Sequence, residues 1–204
     1  SKAIELPTLP ELPDFGALSV TAGLSANTGV FGASAKETNR DDTNTVKHIK
    51  KESGVFTDSF SSQFIELGIG DWVSIGYEHT PDSITTPTNT SRHGNPAGEN
   101  NVSVDFNDLN TTYLRVNLPI LSGAYIKAGT VETDLDIKES MGSGSTYKNV
   151  STDGEMLAMG YQGFLGETGF GFRFETAYLE LDNVSTSNGV AADGATVANS
   201  GQNV

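Results

Sequence analysis

Between Val102 and Leu118 the side chains alternate in polarity with period two, and shorter copies of this pattern recur along the chain. Even positions carry Val102, Val104, Phe106, Leu114, Val116 and Leu118, interrupted by Asp108, Asn110 and Thr112. Odd positions carry Ser103, Asp105, Asn107, Thr111, Tyr113, Arg115 and Asn117, with Leu109 as the apolar exception. Successive side chains of a strand point to opposite faces, so this segment reads as a strand apolar on one face at both ends and polar on the other. Phe170, Phe172, Phe174 and Tyr178 oppose Gly171, Arg173 and Glu175 in the same way. Weaker alternation runs through Leu18–Ala26, Ile65–Ile69, Val73–Tyr77 and Leu157–Tyr161. From Ala124 to Ile137 the phase slips: Ile126 and Ala128 share one parity, Val131, Leu135 and Ile137 the other. A bulge near Gly129 is expected there.

Seven strands are expected, at about 17–38, 55–69, 72–80, 101–118, 124–138, 155–164 and 169–182. A second count places a hairpin turn at Asn27–Thr28–Gly29 and splits the first strand, giving eight. The fold class is all-β, an antiparallel up-and-down sheet. Residues 1–15, with Pro7, Pro10 and Pro13, read as an extended leader, and 16–204 as the β-domain. The start at Ser1 without methionine reads as a processed or trimmed start. The polar run after Asp182 reads as a closing strand that is missing, or only begun near Gln202–Val204.

Connections alternate between two kinds. Short ones are expected at Gly70–Asp71, Pro119–Gly123 and Leu165–Thr168. Long polar ones are expected at about 38–54, 81–101, 139–154 and 182–204. Structureless loops of that length are uncommon inside a compact soluble domain, whereas tight turns at one end and long loops at the other characterise outer-membrane barrels. Trp72, Tyr125, Phe164 and Phe170 flank the short turns, as aromatic rings do at a headgroup boundary. An eight-stranded transmembrane barrel is the expected architecture, with Leu114, Val116, Leu118, Phe172 and Phe174 facing lipid.

Composition narrows the function classes. The chain carries 26 acidic against 12 basic residues, a net charge of −14, which argues against nucleic acid and against an anionic membrane surface as partner. Cysteine is absent, which removes disulfides, thiolate metal sites and a cysteine nucleophile. No apolar run approaches the ~20 residues of a membrane helix, but barrel strands turn only alternate residues to lipid.

With these segments in view, SVDFNDLNTTYLRVNLP and GFGFRFETAYLEL above all, the chain resembles the small outer-membrane β-barrel superfamily, the OmpA-like and OmpX-like proteins, from about Gly16 to Asn203. The resemblance rests on strand pattern and turn–loop alternation. It implies a Gram-negative outer-membrane location with periplasmic turns, surface loops and contact with lipid and lipopolysaccharide. An extracellular protein or a phage would be met through the loops.

The polar parity carries Glu66, Glu78, Arg115, Lys127, Arg173 and Glu175. An eight-stranded barrel is only wide enough to be filled by side chains, so these charges are expected to pair as an interior plug, with Gly68, Gly76, Gly160 and Gly171 making room. A narrow passive porin-like channel is the alternative reading of the same charges. No cofactor, metal site or enzyme activity is expected. His79, Glu78 and Ser83 supply the residue types of a rim hydrolase but no spacing motif. Asp41–Asp42, Asp134/Asp136 and Glu180/Asp182 read as a solvated acidic rim. A third class remains open: a soluble or virion-associated β-sandwich adhesin or fibre domain, whose core would be the apolar faces.

Overall fold

The computed structural model describes residues 16–40, 45–93, 98–140, 146–187 and 200–203. These form one antiparallel sheet of eleven strands: β1 Leu18–Arg40, β2 Val46–Ile69, β3 Val73–Thr80, β4 Ile84–Thr85, β5 Asn89–His93, β6 Gly98–Asn117, β7 Ala124–Ser140, β8 Val150–Phe164, β9 Gly171–Leu181, β10 Val184–Ser187 and β11 Ser200–Asn203. The order is β10–β11–β1–β2–β3–β6–β7–β8–β9, with β4 and β5 also paired to β6. From β1 to β9 the chain moves to the neighbouring position at each turn, with β3, β4 and β5 sharing one position beside β6, the connectivity of an up-and-down sheet; β10 and β11 instead lie beyond β1 in the order. The expected leader, 1–15, lies outside the described residues.

Local chemistry explains the breaks. β3, β4 and β5 follow one another along β6 and are interrupted around Pro81 and Pro87, which have no amide to give to a ladder. All three tight turns place glycine in the left-handed region, among them Gly70 at φ 59° and Gly123 at φ 88°, where a side chain would be strained. Gly70 also donates its amide to Ala17 O at 2.7 Å, fixing the β2–β3 turn against the start of β1.

Three expectations are corrected. Residues 27–29 form no hairpin: Asn27, Thr28 and Gly29 pair with Phe60, Ser59 and Asp58 inside an unbroken β1–β2 ladder. Polar residues there flank a long partner strand, and pairing overrides the local turn preference. The bulge lies in β6, not at Gly129, which pairs regularly with Tyr113 and Met156. The register shifts between Asn107 and Asn110, where Asp108 adopts φ 49°, so Asp108 and Leu109 together oppose Thr133. Finally, the described parts of the long connections are largely strand. The β1–β2 ladder extends to Arg40↔Val46, β6 begins at Gly98, and β7 and β8 reach Ser140 and Val150. These extensions are polar on both faces, so they carry no period-two signal although their backbones pair.

The bulge re-sorts the faces of β6. Thr111, Tyr113 and Arg115 are buried on the concave face. An extra residue shifts parity, so beyond the bulge it is Phe106 and Val104 that share this face, opposite the concave-facing Leu135 and Ile137. Val104 and Phe106 are therefore not on the Leu114–Val116 face, as strict alternation had implied. The concave face thus holds two zones. Near the short turns it is charged and polar; beyond them it is apolar, with Tyr113, Val131, Met156 and Ala158 clustered and Leu109 and Leu181 against them. The apparent phase slip in β7 is this change of zone: Tyr125, Lys127, Val131 and Leu135 keep one parity throughout.

The sheet is not closed. β11 pairs with β10 on one side and with Ala35–Thr38 of β1 on the other. Along Leu18–Ser34 and along β9, one strand edge has no partner strand among the described residues.

Candidate functional site

Parity aims side chains from five strands into the concave space. Glu66 comes from β2, Glu78 from β3, Tyr113 and Arg115 from β6, Tyr125 and Lys127 from β7, and Arg173 and Glu175 from β9. Glu66 lies at the centre, 2% exposed. Arg173 donates to both its oxygens, at 2.7 and 2.5 Å. Tyr113 OH donates at 2.8 Å, and the Arg115 guanidinium sits 3.5 Å away. Arg115 also donates to Gln162 Oε1 and, at 3.2 Å, to Ser74 Oγ.

Lys127 bridges the other two carboxylates, donating to Glu78 at 2.8 Å and Glu175 at 3.0 Å. Tyr125 OH donates to Glu175 at 2.8 Å. Ser62 donates to the remaining Glu78 oxygen at 2.6 Å and accepts from Asn27 Nδ2 at 3.0 Å. The aromatic faces carry cations: Lys127 Nζ is 4.0 Å from the Tyr113 centroid, Arg115 is 5.2 Å from Tyr125 and Arg173 is 4.5 Å from Phe64. Each such contact contributes about 0.5–2 kcal/mol, the more when dry.

Three cations meet three carboxylates, so the network is neutral as a unit. Buried ions are costly unless paired, and here every carboxylate has a cation within salt-bridge distance. Glycines make the rings fit. A Cβ on Gly76 would lie 2.3 Å from Tyr113 Cζ, and one on Gly160 would lie 2.4 Å from Tyr125 Cζ. Each ring lies over the glycine paired with it on the next strand.

The convex face has the opposite chemistry. In register across the sheet it presents Leu67, Ile75, Leu114, Ala128, Leu157 and Tyr178. Beside them stand Leu18, Val20, Leu24, Ile65, Ile126, Met159, Phe172 and Phe174, with Leu24 85% and Phe174 71% exposed. Towards the long hairpins this belt gives way to exposed Glu132, Asp134, Asp153, Glu155 and Glu180. The sheet is therefore inverted in polarity, apolar outside and charged within.

All six expected interior charges, Glu66, Glu78, Arg115, Lys127, Arg173 and Glu175, lie in the one network. Tyr113, Gln162, Ser74 and Ser62 belong to it as well; their sequence signal was parity alone, Tyr113 with Arg115, Ser74 with Glu78, Gln162 with Gly160 and Ser62 with Glu66. Leu114, Leu118, Phe172 and Phe174 are exposed on the convex face, and Val116 is partly covered there. Phe164 and Phe170 are exposed beside a tight turn, and Trp72 is half-buried beside another. Tyr125 is a correction: it is 1% exposed and points inward. It shares the parity of Lys127, and register outranks its closeness to a turn.

His79, Glu78 and Ser83, the residue types of a rim hydrolase, each have other partners. His79 Nδ1 lies 2.7 Å from Asn110 Oδ1, Glu78 points to the opposite face, and Ser83 donates to Asn107 instead. Of the acidic pairs, Asp134 accepts from Ser151 at 2.6 Å and Asp136 lies 3.6 Å from Lys138. Asp41–Asp42 lies outside the described residues. Among the described residues no group of three or more His, Asp or Glu is placed to hold a metal ion.

Site and fold define a curled antiparallel sheet with an inward ion network and an outward apolar belt. Comparison with protein-family models, curated protein sequences and solved structures finds no match to this chain.

Proposed function

We propose that this chain forms the body of an eight-stranded outer-membrane β-barrel of the OmpA-like and OmpX-like kind, a structural anchor presenting polar hairpins at the cell surface. The observation that carries this reading is the inverted polarity of the sheet. In water, each exposed Leu, Ile or Phe forgoes about 1.5–3 kcal/mol of burial, and a continuous belt of them marks a surface made for another apolar phase. Lipid supplies that phase. A sandwich core would need a second layer over the belt, and the described residues form a single sheet.

The neutral network fits an interior plug and not a conducting path, because its charges are paired with one another. The acidic residues above the belt and the polar β1–β2 and β6–β7 hairpins are the parts that would meet lipopolysaccharide, an extracellular protein or a phage.

The test is expression behind a signal peptide, membrane fractionation, and gel mobility with and without boiling. Outer-membrane partitioning with a heat-shifted band supports the reading. A monomer soluble without detergent overturns it.

A further inference from the structure

The sheet is interrupted along one line. β1 is paired with β2 along its whole length, but its other edge is met only at Ala35–Thr38, by β11. β9 is paired with β8, and no described strand meets its far edge. β10 follows β9 after two residues and holds the other side of β11. The two open edges thus border one seam, and β11 sits at its mouth. There the seam is one strand wide, through the triplets Val184↔Asn203↔Ala35 and Thr186↔Gly201↔Glu37.

We propose that this seam is a binding site for one extended peptide strand, entering in line with β11 and antiparallel to both β1 and β9. Direction follows from the β11 ladders, and register against β1 from Ala35↔Asn203 to Thr38↔Ser200. β9 offers 11 residues of open edge. Backbone pairing supplies the affinity and alternate side chains the specificity, as in other cases of strand addition.

The surroundings state the occupant's chemistry. Its inward positions lie beside Thr21, Gly23, Ser25, Asn27 and Gly29, a row of small and uncharged side chains. The space beneath is already taken: Arg173 passes from β9 to Glu66 over Phe64, and Phe64 covers Gly23. The ion network is balanced, so an added charge would find no partner. Inward residues must therefore be Gly, Ser, Ala or Thr. Outward residues lie between Val20 and Leu24 on one side and Phe172 and Phe174 on the other, and must be apolar. The pairing rests on the two open edges alone; the outward apolar pattern rests on the membrane reading.

The experiment folds the full chain in detergent micelles with a synthetic peptide of 11 residues, the length of the β9 edge, alternating Ser or Gly with Leu or Val. Two control peptides are used, one scrambled into an apolar and a polar half, one with Lys at the inward positions. Native mass spectrometry reads stoichiometry, and hydrogen exchange reads the amides of Val20–Val30 and Phe172–Leu179. One peptide per chain is expected, slowing exchange on both edges by about tenfold or more, with neither control binding. Protection of one edge only, equal binding of the scrambled peptide, or no binding overturns the proposal. So does seam protection in the chain alone, whether filled from within the chain or, if it rises with concentration, by a second copy. Micelle partitioning of the chain alone is scored separately. Partitioning without peptide binding sinks only the seam; binding without partitioning sinks only the membrane reading.

Discussion

Arg173 of β9 holds both carboxylate oxygens of Glu66 of β2, although the sheet path between them, β2–β3–β6–β7–β8–β9, takes five steps. On a flat sheet that path would span about 24 Å at ~4.8 Å per strand. The ion pair is thus both a consequence of the curl and a tie that holds it.

Breaking that tie from one side should be costly. Glu66→Ala leaves Arg173 and Arg115 without their shared carboxylate and is expected to lose about 3–5 kcal/mol of folding stability. Glu66→Met with Arg173→Met removes charge from both ends and is expected to lose clearly less than the sum of the two single changes. Urea unfolding in micelles measures both. Simple additivity would show that the pair contributes no coupling.

Two glycines should respond differently to the same methyl group. The nearest atoms to a Cβ on Gly76 all belong to the Tyr113 ring, whereas one on Gly129 meets Thr112 O at 2.2 Å. Each Gly→Ala change is expected to destabilise by about 1–3 kcal/mol through overpacking. A shorter side chain in Tyr113→Leu should recover much of the loss at Gly76 and little at Gly129, because backbone cannot swing aside. A thermal-denaturation series over the four variants decides.

The convex belt should resist charge by position. Leu114→Arg lies within it, and at the middle of a bilayer this change is expected to cost about 2–4 kcal/mol. Ser59→Arg, on the exposed β1–β2 hairpin, should cost little. Refolding into lipid vesicles across a urea series reads the difference, and equal losses at the two positions would argue against lipid contact.

A plug should not conduct. The protein in planar bilayers is expected to give no discrete current steps, because Arg115, Lys127 and Arg173 are each held by carboxylates. Regular steps would favour the channel reading.

Asp82 gives a pH-dependent test away from the belt. The Ser61 hydroxyl, at 2.7 Å, and then its amide, at 2.8 Å, hold this carboxyl below the usual aspartate range. A depressed folded-state value means that the contact stabilises the fold above the unfolded aspartate's pKa. That contribution is lost as pH falls through the lower folded value. Carboxyl NMR should show Asp82 titrating later on acidification than free aspartate, and Ser61→Ala should move it back up. An unchanged titration in Ser61→Ala would remove the cause assigned here.

The sequence by itself determined where strands run and which chemistry each parity carries. Phe172 and Phe174 against Arg173 and Glu175, or Leu114 against Arg115, are local facts, because alternation is built into every strand. It did not determine register. One extra residue at Asp108 exchanges the faces of β6, so Val104 and Phe106 turn inward, and nothing in local alternation announces it. Tyr125 looked like a boundary aromatic because it is near a turn; pairing with Gly160 put its ring inside. The long polar hairpins were invisible for the opposite reason, since strands polar on both faces have no period to read. Only tertiary structure decided that six charges from five strands meet, because curl brings β9 over β2, and curl depends on how rings, glycines and ion pairs fill the concave space together.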